Sequence, residues 1–165
     1  GFTLVAVFLL TVIFDLTVAV EVGLVLACVF FVYRMNRMFQ VNWLGDAPSG
    51  MAAARLYGTL FFGAVGRIEP IARTLDSTTR VLVLELHRLI FIDTSGIDAL
   101  RQLRRELQRQ GVDLVLADAN AQPLSILQRS GFEAELGTHH IFATLPEAYA
   151  HWAQAASTDT AVPRA

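Results

Sequence analysis

Residues 2–33 form an almost unbroken apolar run whose only charges are Asp15 and Glu21. This stretch constrains the chain more than any other feature. A straight helix over all of it would be about 48 Å long at ~1.5 Å per residue, against a bilayer hydrocarbon core of ~30 Å. It must therefore tilt strongly, break, or extend beyond the bilayer. The two acids bracket Leu16-Thr17-Val18-Ala19-Val20 and mark where a break would help. Two short helices, roughly 2–14 and 18–38, are the favoured arrangement, a pattern typical of secondary transporters. Facing lipid, either acid would be costly, so both should face protein, water or the interface. Three readings stand for Asp15 and Glu21: a turn or interface position, helix–helix hydrogen bonding, and coupling to a substrate or proton. Gly23, Ala27 and Cys28 are small enough for close helix contact. A secretory signal fails on length, on the missing basic n-region and on the absent cleavage site. Arg34 and Arg37 close the run and place the rest of the chain on the cytoplasmic side by the positive-inside tendency.

The remaining chain has a different composition. Residues 34–165 carry all 13 basic residues, every one an Arg, and balance them with the other 13 acids. This part reads as a normal soluble domain, although the whole chain has a mean hydropathy of +0.48. A net charge of -2 excludes a strongly basic nucleic-acid binder. The single cysteine rules out an internal disulfide. The first residue is Gly, which suggests a fragment with its upstream part missing.

Residues 39–54, with Gly45-Asp46-Ala47-Pro48-Ser49-Gly50, read as a linker, and Trp43 suits an interfacial anchor. A domain is expected over 55–155 and a flexible tail over 156–165. Arg55 to Phe62 suggests a short β-hairpin or kinked edge strand. Val65 to Leu75 suggests a helix with Pro70 in its first turn. Arg80 to Leu86 and Val112 to Ala117 are apolar on both faces, as central parallel strands should be. Ile97 to Gln110 is the clearest helix, with Ile97, Leu100, Leu103 and Leu107 in one stripe and Gly111 to end it. Pro123 to Arg129, a short strand at Ile141 to Leu145 and a helix from Pro146 to Gln154 complete the pattern. Strand and helix alternate, so the expectation is an α/β fold: a mixed sheet with an edge hairpin, about four helices and right-handed crossovers.

One turn could carry chemistry. Phe91-Ile92-Asp93-Thr94-Ser95-Gly96 leads from a buried strand into the clear helix. Functional loops collect at the carboxyl ends of strands, and a helix N-terminus favours anionic groups. Asp93, Thr94 and Ser95 are all capable N-caps, and Gly96 allows a close turn. An ordinary capped turn and a phosphorylation switch on Thr94 or Ser95 both fit these residues. If Gly96 needs a positive φ, Gly96→Val should cost more than about one kcal/mol. Arg101, Arg104, Arg105 and Arg109 give the following helix a basic face, either solvated or in contact with an acidic protein, a nucleotide or lipid headgroups. No catalytic constellation is evident: Ser95 and Asp93 lack a His base, and the hydrolase elbow is missing. His139 and His140 read as a polar loop, with a metal site as the lesser alternative. Neither a metal nor a cofactor is expected.

The stretches Gly58 to Ala64, Val81 to Leu86, Ile92 to Leu100, Gly111 to Ala117, Leu127 to Phe132 and Ile141 to Ala148 together resemble a STAS domain. Phe8 to Val20, followed by Val22-Gly23 and the Arg-flanked end, is similar to the last membrane helices of SulP-type anion permeases. Those proteins carry a cytoplasmic STAS domain directly after that segment, and the resemblance covers about residues 4–155. It implies a STAS-like fold and a non-enzymatic role in a multi-pass inner-membrane transporter of sulfate, bicarbonate or dicarboxylates. Residues 1–38 would be the last transmembrane helices of a core whose anion site lies upstream. The STAS domain would support homodimer assembly, trafficking or regulation, with a regulatory protein or nucleotide as a further partner. The alternative resemblance is to the anti-sigma-factor antagonists, a membrane-anchored phosphoswitch without transport. In those proteins the residue after the loop Asp is phosphorylated; the matching position here is Thr94, in Asp-Thr-Ser-Gly rather than Asp-Ser-Ser-Gly.

Overall fold

The computed structural model describes residues 1–13, 16–36, 39–61 and 66–159. Asp15, Arg37, the Phe62 to Ala64 part of the resemblance and the end of the tail lie outside the described residues. The chain divides into two units, residues 1–38 and residues 39–165.

The first unit is a pair of helices, α1 (Phe2–Ile13) and α2 (Leu16–Asn36). With 12 residues, α1 is about 18 Å long, too short to cross a hydrocarbon core of ~30 Å. The 21 residues of α2 reach about 31 Å, and its window Thr17–Arg34 is long and apolar enough to span. The apolar run is thus two helices. They meet through small residues: a Cβ on Gly23 would lie 3.2 Å from Val7 Cγ2, and Ala19 is fully buried. Ala27 and Cys28, expected at the same contact, are exposed instead. Leu24, Val25, Val29, Phe30 and Phe31 also point outward, as side chains meant for lipid should.

The second unit is built on β1 (Gln40–Leu44), β2 (Met51–Leu60), β3 (Val81–Glu85), β4 (Leu89–Ile92), β5 (Asp113–Ala117) and β6 (Ile141–Phe142). The helices are α3 (Thr94–Arg109), α4 (Ala121–Arg129), α5 (Phe132–Leu136) and α6 (Leu145–Asp159), with short 3-10 helices at Glu69–Thr74 and Thr138–His140. The sheet order is β1-β2-β3-β5-β6, and β4 pairs with the far end of β2. Among the described residues, all strand pairings are parallel except β1 with β2.

Strand alternation divides the core. Leu82, Leu84, Leu114 and Leu116 enter one cluster with the α3 stripe Ile97, Leu100, Leu103 and Leu107. Val81, Val83, Val115 and Ala117 enter the other, which Ala148, Tyr149 and Trp152 of α6 cover. A side-chain period of two delivers alternate residues to opposite faces, which explains the doubly apolar strands.

Several sequence expectations need correction. Residues 39–54 are not a linker: they supply β1, a turn and the start of β2. Their turn formers are a hairpin turn, with Leu44 paired to Ala53 across it. The edge hairpin therefore lies at 40–60, and 55–62 is not a hairpin of its own. Its Gly58-Thr59 marks a register shift inside β2. Pro70 opens a 3-10 helix rather than an α-helix. The short α5 follows the Ser130-Gly131 stop, and β6 has only two residues. The last helix reaches Asp159, so residues 156–159 are helical.

Candidate functional site

The candidate loop is positioned by β4, which has one strand neighbour, β2, among the described residues. Its open edge is closed by side-chain amides at the start of α4. Gln122 Nε2 donates to the Ile92 carbonyl at 3.0 Å, and the Ile92 N–H donates to Gln122 Oε1 at 3.0 Å. Asn120 Nδ2 donates to the carbonyls of His87 and Leu89 at 2.7 and 3.0 Å. Two amides thus mimic a neighbouring strand and satisfy backbone groups that would otherwise be orphaned. The sequence reading missed both residues; Asn120, just ahead of a helix start, was the available signal. Ile90 and Phe91 remain exposed on β4.

The structure selects Asp93 as the N-cap. It is extended, and its Oδ1 accepts from the Gly96 N–H at 2.8 Å. Its own N–H donates to the Leu60 carbonyl at 3.2 Å. Thr94 and Ser95 are therefore free of capping duty; Thr94 is exposed and Ser95 half-buried. Gly96 is needed for a different reason from the one expected. It is not among the positive-φ glycines, but a Cβ there would lie 2.6 Å from the Leu60 carbonyl oxygen and 2.6 Å from Ile92 Cγ1. Only a residue without a side chain lets α3 approach β2 so closely. Gly111, by contrast, does take φ +71 where α3 ends.

The four arginines of α3 differ in what they touch. Arg101 is half-buried and braces three elements: it pairs with Asp98 at 3.0 Å and Glu135 at 2.8 Å and donates to the Ser130 carbonyl at 2.8 Å. The hydrogen bond with Arg101 holds the Glu135 carboxyl below its ordinary range, while that bond raises Arg101. Arg109 pairs with Glu106 at 2.7 Å. Arg104 turns the other way, into a pocket with Asp113, Leu136 and His140. Arg101 and Arg105 share a pocket with Ser95. A helix turns by ~100° per residue, so positions 101, 104, 105 and 109 lie within an arc of roughly 140°, and it is their neighbours that divide them.

Among the other candidates, Glu21 is exposed on α2. His139 and His151 stack with ring centroids 6.1 Å apart, and His140 meets Trp152 edge-on. Burial lowers the His140 pKa, and its Nδ1 is buried without a partner. No cluster that could hold a metal occurs among the described residues. A further, half-buried pair escaped the sequence reading: Arg55 of β2 and the buried Glu85 of β3 stand opposite each other and form an ion pair. The hydrogen bond that Arg55 donates to Glu85 raises the Arg55 pKa, helped by Tyr57. Charged residues in two otherwise apolar strands were the signal. Nearby on α6, burial pushes the Tyr149 hydroxyl up to about 12.

A mixed α/β sheet whose strand-to-helix loop is capped by Asp and packed through Gly defines a small α/β module, preceded in the chain by an apolar helix pair. Residues 47–148 match the STAS domain family, and the chain belongs to it. It is homologous to sulfate transporters of the SulP/SLC26 type. YvdB of Bacillus subtilis (strain 168), whose name describes a candidate sulfate transporter, is 28% identical over 150 residues, covering 86% of this chain and 28% of that protein. The chain thus spans well under half the length of that relative. A sulfate transporter family protein from Wolinella succinogenes superposes with TM-score 0.59 at 27% identity, covering 64% of this chain and 86% of the other. The murine anion transporter Slc26a9 shares the fold with TM-score 0.72 at 22% identity, covering 93% of this chain and 28% of the other.

Proposed function

We propose that this chain is the C-terminal part of a SulP-type secondary anion transporter, of the sulfate, bicarbonate or dicarboxylate class. The observation that carries the reading is the pairing of a membrane-length helix with a STAS unit in one chain. The similarity to YvdB covers 86% of the chain, too much to be confined to the α/β unit. On this reading α1 and α2 are the last helices of a multi-pass core in the cytoplasmic membrane. The α/β unit lies in the cytoplasm, where it regulates transport or holds a homodimer together. No catalysis is assigned to it.

The test is uptake of radiolabelled sulfate, with bicarbonate and succinate as competitors, by cells expressing the full-length protein and a version ending at residue 38. Uptake by the full-length protein, altered in rate or in dimer content by the truncation, is the expected result. A second reading, a membrane-anchored phosphoswitch, draws on the exposed Thr94 at the start of α3. Absence of uptake, with kinase-dependent mass gain confined to Thr94 or Ser95, would replace the transport reading with this one.

A further inference from the structure

The α/β unit exposes few large apolar side chains: among its described residues they are Trp43, Ile90 and Phe91. Ile90 and Phe91 are neighbours on β4, 69% and 44% exposed. Strand register puts them at the end of the sheet where β1 begins. Gln40 pairs with Tyr57, and the next residue of β2, Gly58, pairs with Leu89. With strands ~4.8 Å apart, the start of β1 lies about 10 Å from the start of β4. Two arginines stand at the same end. Arg67 Nη1 donates to the Phe39 carbonyl at 2.6 Å, and the exposed Arg88 immediately precedes β4, its carbonyl accepting from the Gly58 N–H at 3.0 Å. The acids nearby are engaged within the unit: Asp93 caps α3, and Asp118 faces His87 at 3.5 Å.

The chain itself supplies the argument for what covers this patch. Helix α2 ends at Asn36 and β1 begins at Gln40. Four residues span at most ~14 Å, so a bilayer that holds α2 is within reach of this end of the sheet. Aliphatic and aromatic side chains partition into the boundary between headgroups and acyl chains, and guanidiniums beside them favour anionic headgroups. Two apolar side chains would hold a free protein on a membrane only weakly. A short tether makes the encounter intramolecular, and a weak contact then suffices. We propose that Ile90 and Phe91, flanked by Arg67 and Arg88, dock this end of the sheet on an anionic lipid surface. The proposal rests on the reading of α2 as a membrane span.

The test is spin labelling of the 165-residue chain in nanodiscs of phosphatidylcholine with phosphatidylglycerol. Collision of the label with oxygen reports lipid, and collision with a water-soluble nickel chelate reports water. The native Cys28, exposed on α2, reads the membrane span. In a Cys28→Ala background, Ile90→Cys reads the patch. Gln108→Cys, exposed on α3 and about 21 Å along that helix from Thr94, reads the rest of the unit. The expected result is an oxygen-to-nickel ratio several-fold higher at position 90 than at position 108. Adding Arg88→Glu, or leaving out phosphatidylglycerol, should lower the ratio at position 90. A ratio that ignores both changes overturns the role of the arginines. A label on Cys28 in lipid with a label at position 90 in water overturns the docking alone. A label on Cys28 in water overturns the membrane span and the docking with it. Spin–spin broadening at position 90 that vanishes on dilution with unlabelled chain assigns the patch to a second copy and overturns the lipid contact.

Discussion

Helices α2 and α3 are the two longest among the described residues and use their apolar residues in opposite ways. In α2, Leu24, Val25, Val29, Phe30 and Phe31 surround the helix and lie exposed. In α3, Ile97, Leu100, Leu103 and Leu107 occupy one stripe and are buried against the sheet, with polar residues on the other side. The difference lies in arrangement. A helix apolar all round suits a solvent that is itself apolar, whereas a helix apolar on one stripe must find a protein partner. The same leucine therefore has different energetic roles in the two helices, and this difference can be tested.

The largest expected effect is on the α3 side. Leu103→Ala removes a buried side chain and should lower the stability of the α/β unit by about 3 kcal/mol, read from chemical denaturation. Leu24→Ala should leave that transition unchanged. Equal effects of the two changes would break the comparison. On the α2 side, Leu24→Arg should raise the free energy of membrane insertion by about 3 kcal/mol, scored in a translocation assay. Arginine at the exposed Gln108 of α3 should leave the α/β unit within roughly 0.5 kcal/mol of the parent.

Gly96→Ala comes next, at about 2 kcal/mol, because the added carbon meets the Leu60 carbonyl oxygen. A variant as stable as the parent would show that the first turn of α3 can move away from β2. Arg101→Ala should cost less, about 1 kcal/mol, since its partners are partly solvated. The smallest effect concerns pH. His140 has a lowered pKa in the fold because burial disfavours its charged form. The unfolded chain therefore binds more protons, and stability should fall as pH drops through the ordinary histidine value near 6.5 and below. In His140→Gln this slope should flatten, and an unchanged slope would assign the acid sensitivity elsewhere.

The fold was legible where a pattern was strong and local. The doubly apolar strands at 81–86 and 112–117, the 97–110 helix with its glycine stop, and the break in the apolar run all follow from periodicity and turn chemistry. Residues 39–54 misled because the same Gly-Asp-Pro-Ser-Gly composition serves a linker and a hairpin turn; pairing with β2 distinguishes them. At the candidate loop, three residues could have capped α3, and only the approach of β2 and β4 selected Asp93. The role of Gly96 was invisible for the same reason: the obstacle to a side chain comes from Leu60, 36 positions earlier. The Asn120 and Gln122 clamp likewise spans some thirty residues.

By itself, the sequence determined that one segment is apolar enough for lipid and that the other forms a layered α/β unit, because solvent preference and backbone periodicity are properties of neighbouring residues. Tertiary structure decided which arginines are neutralised, which acid caps α3 and which glycine is indispensable. Those outcomes depend on atoms brought within a few ångströms by strand pairing, and no local pattern encodes such proximity.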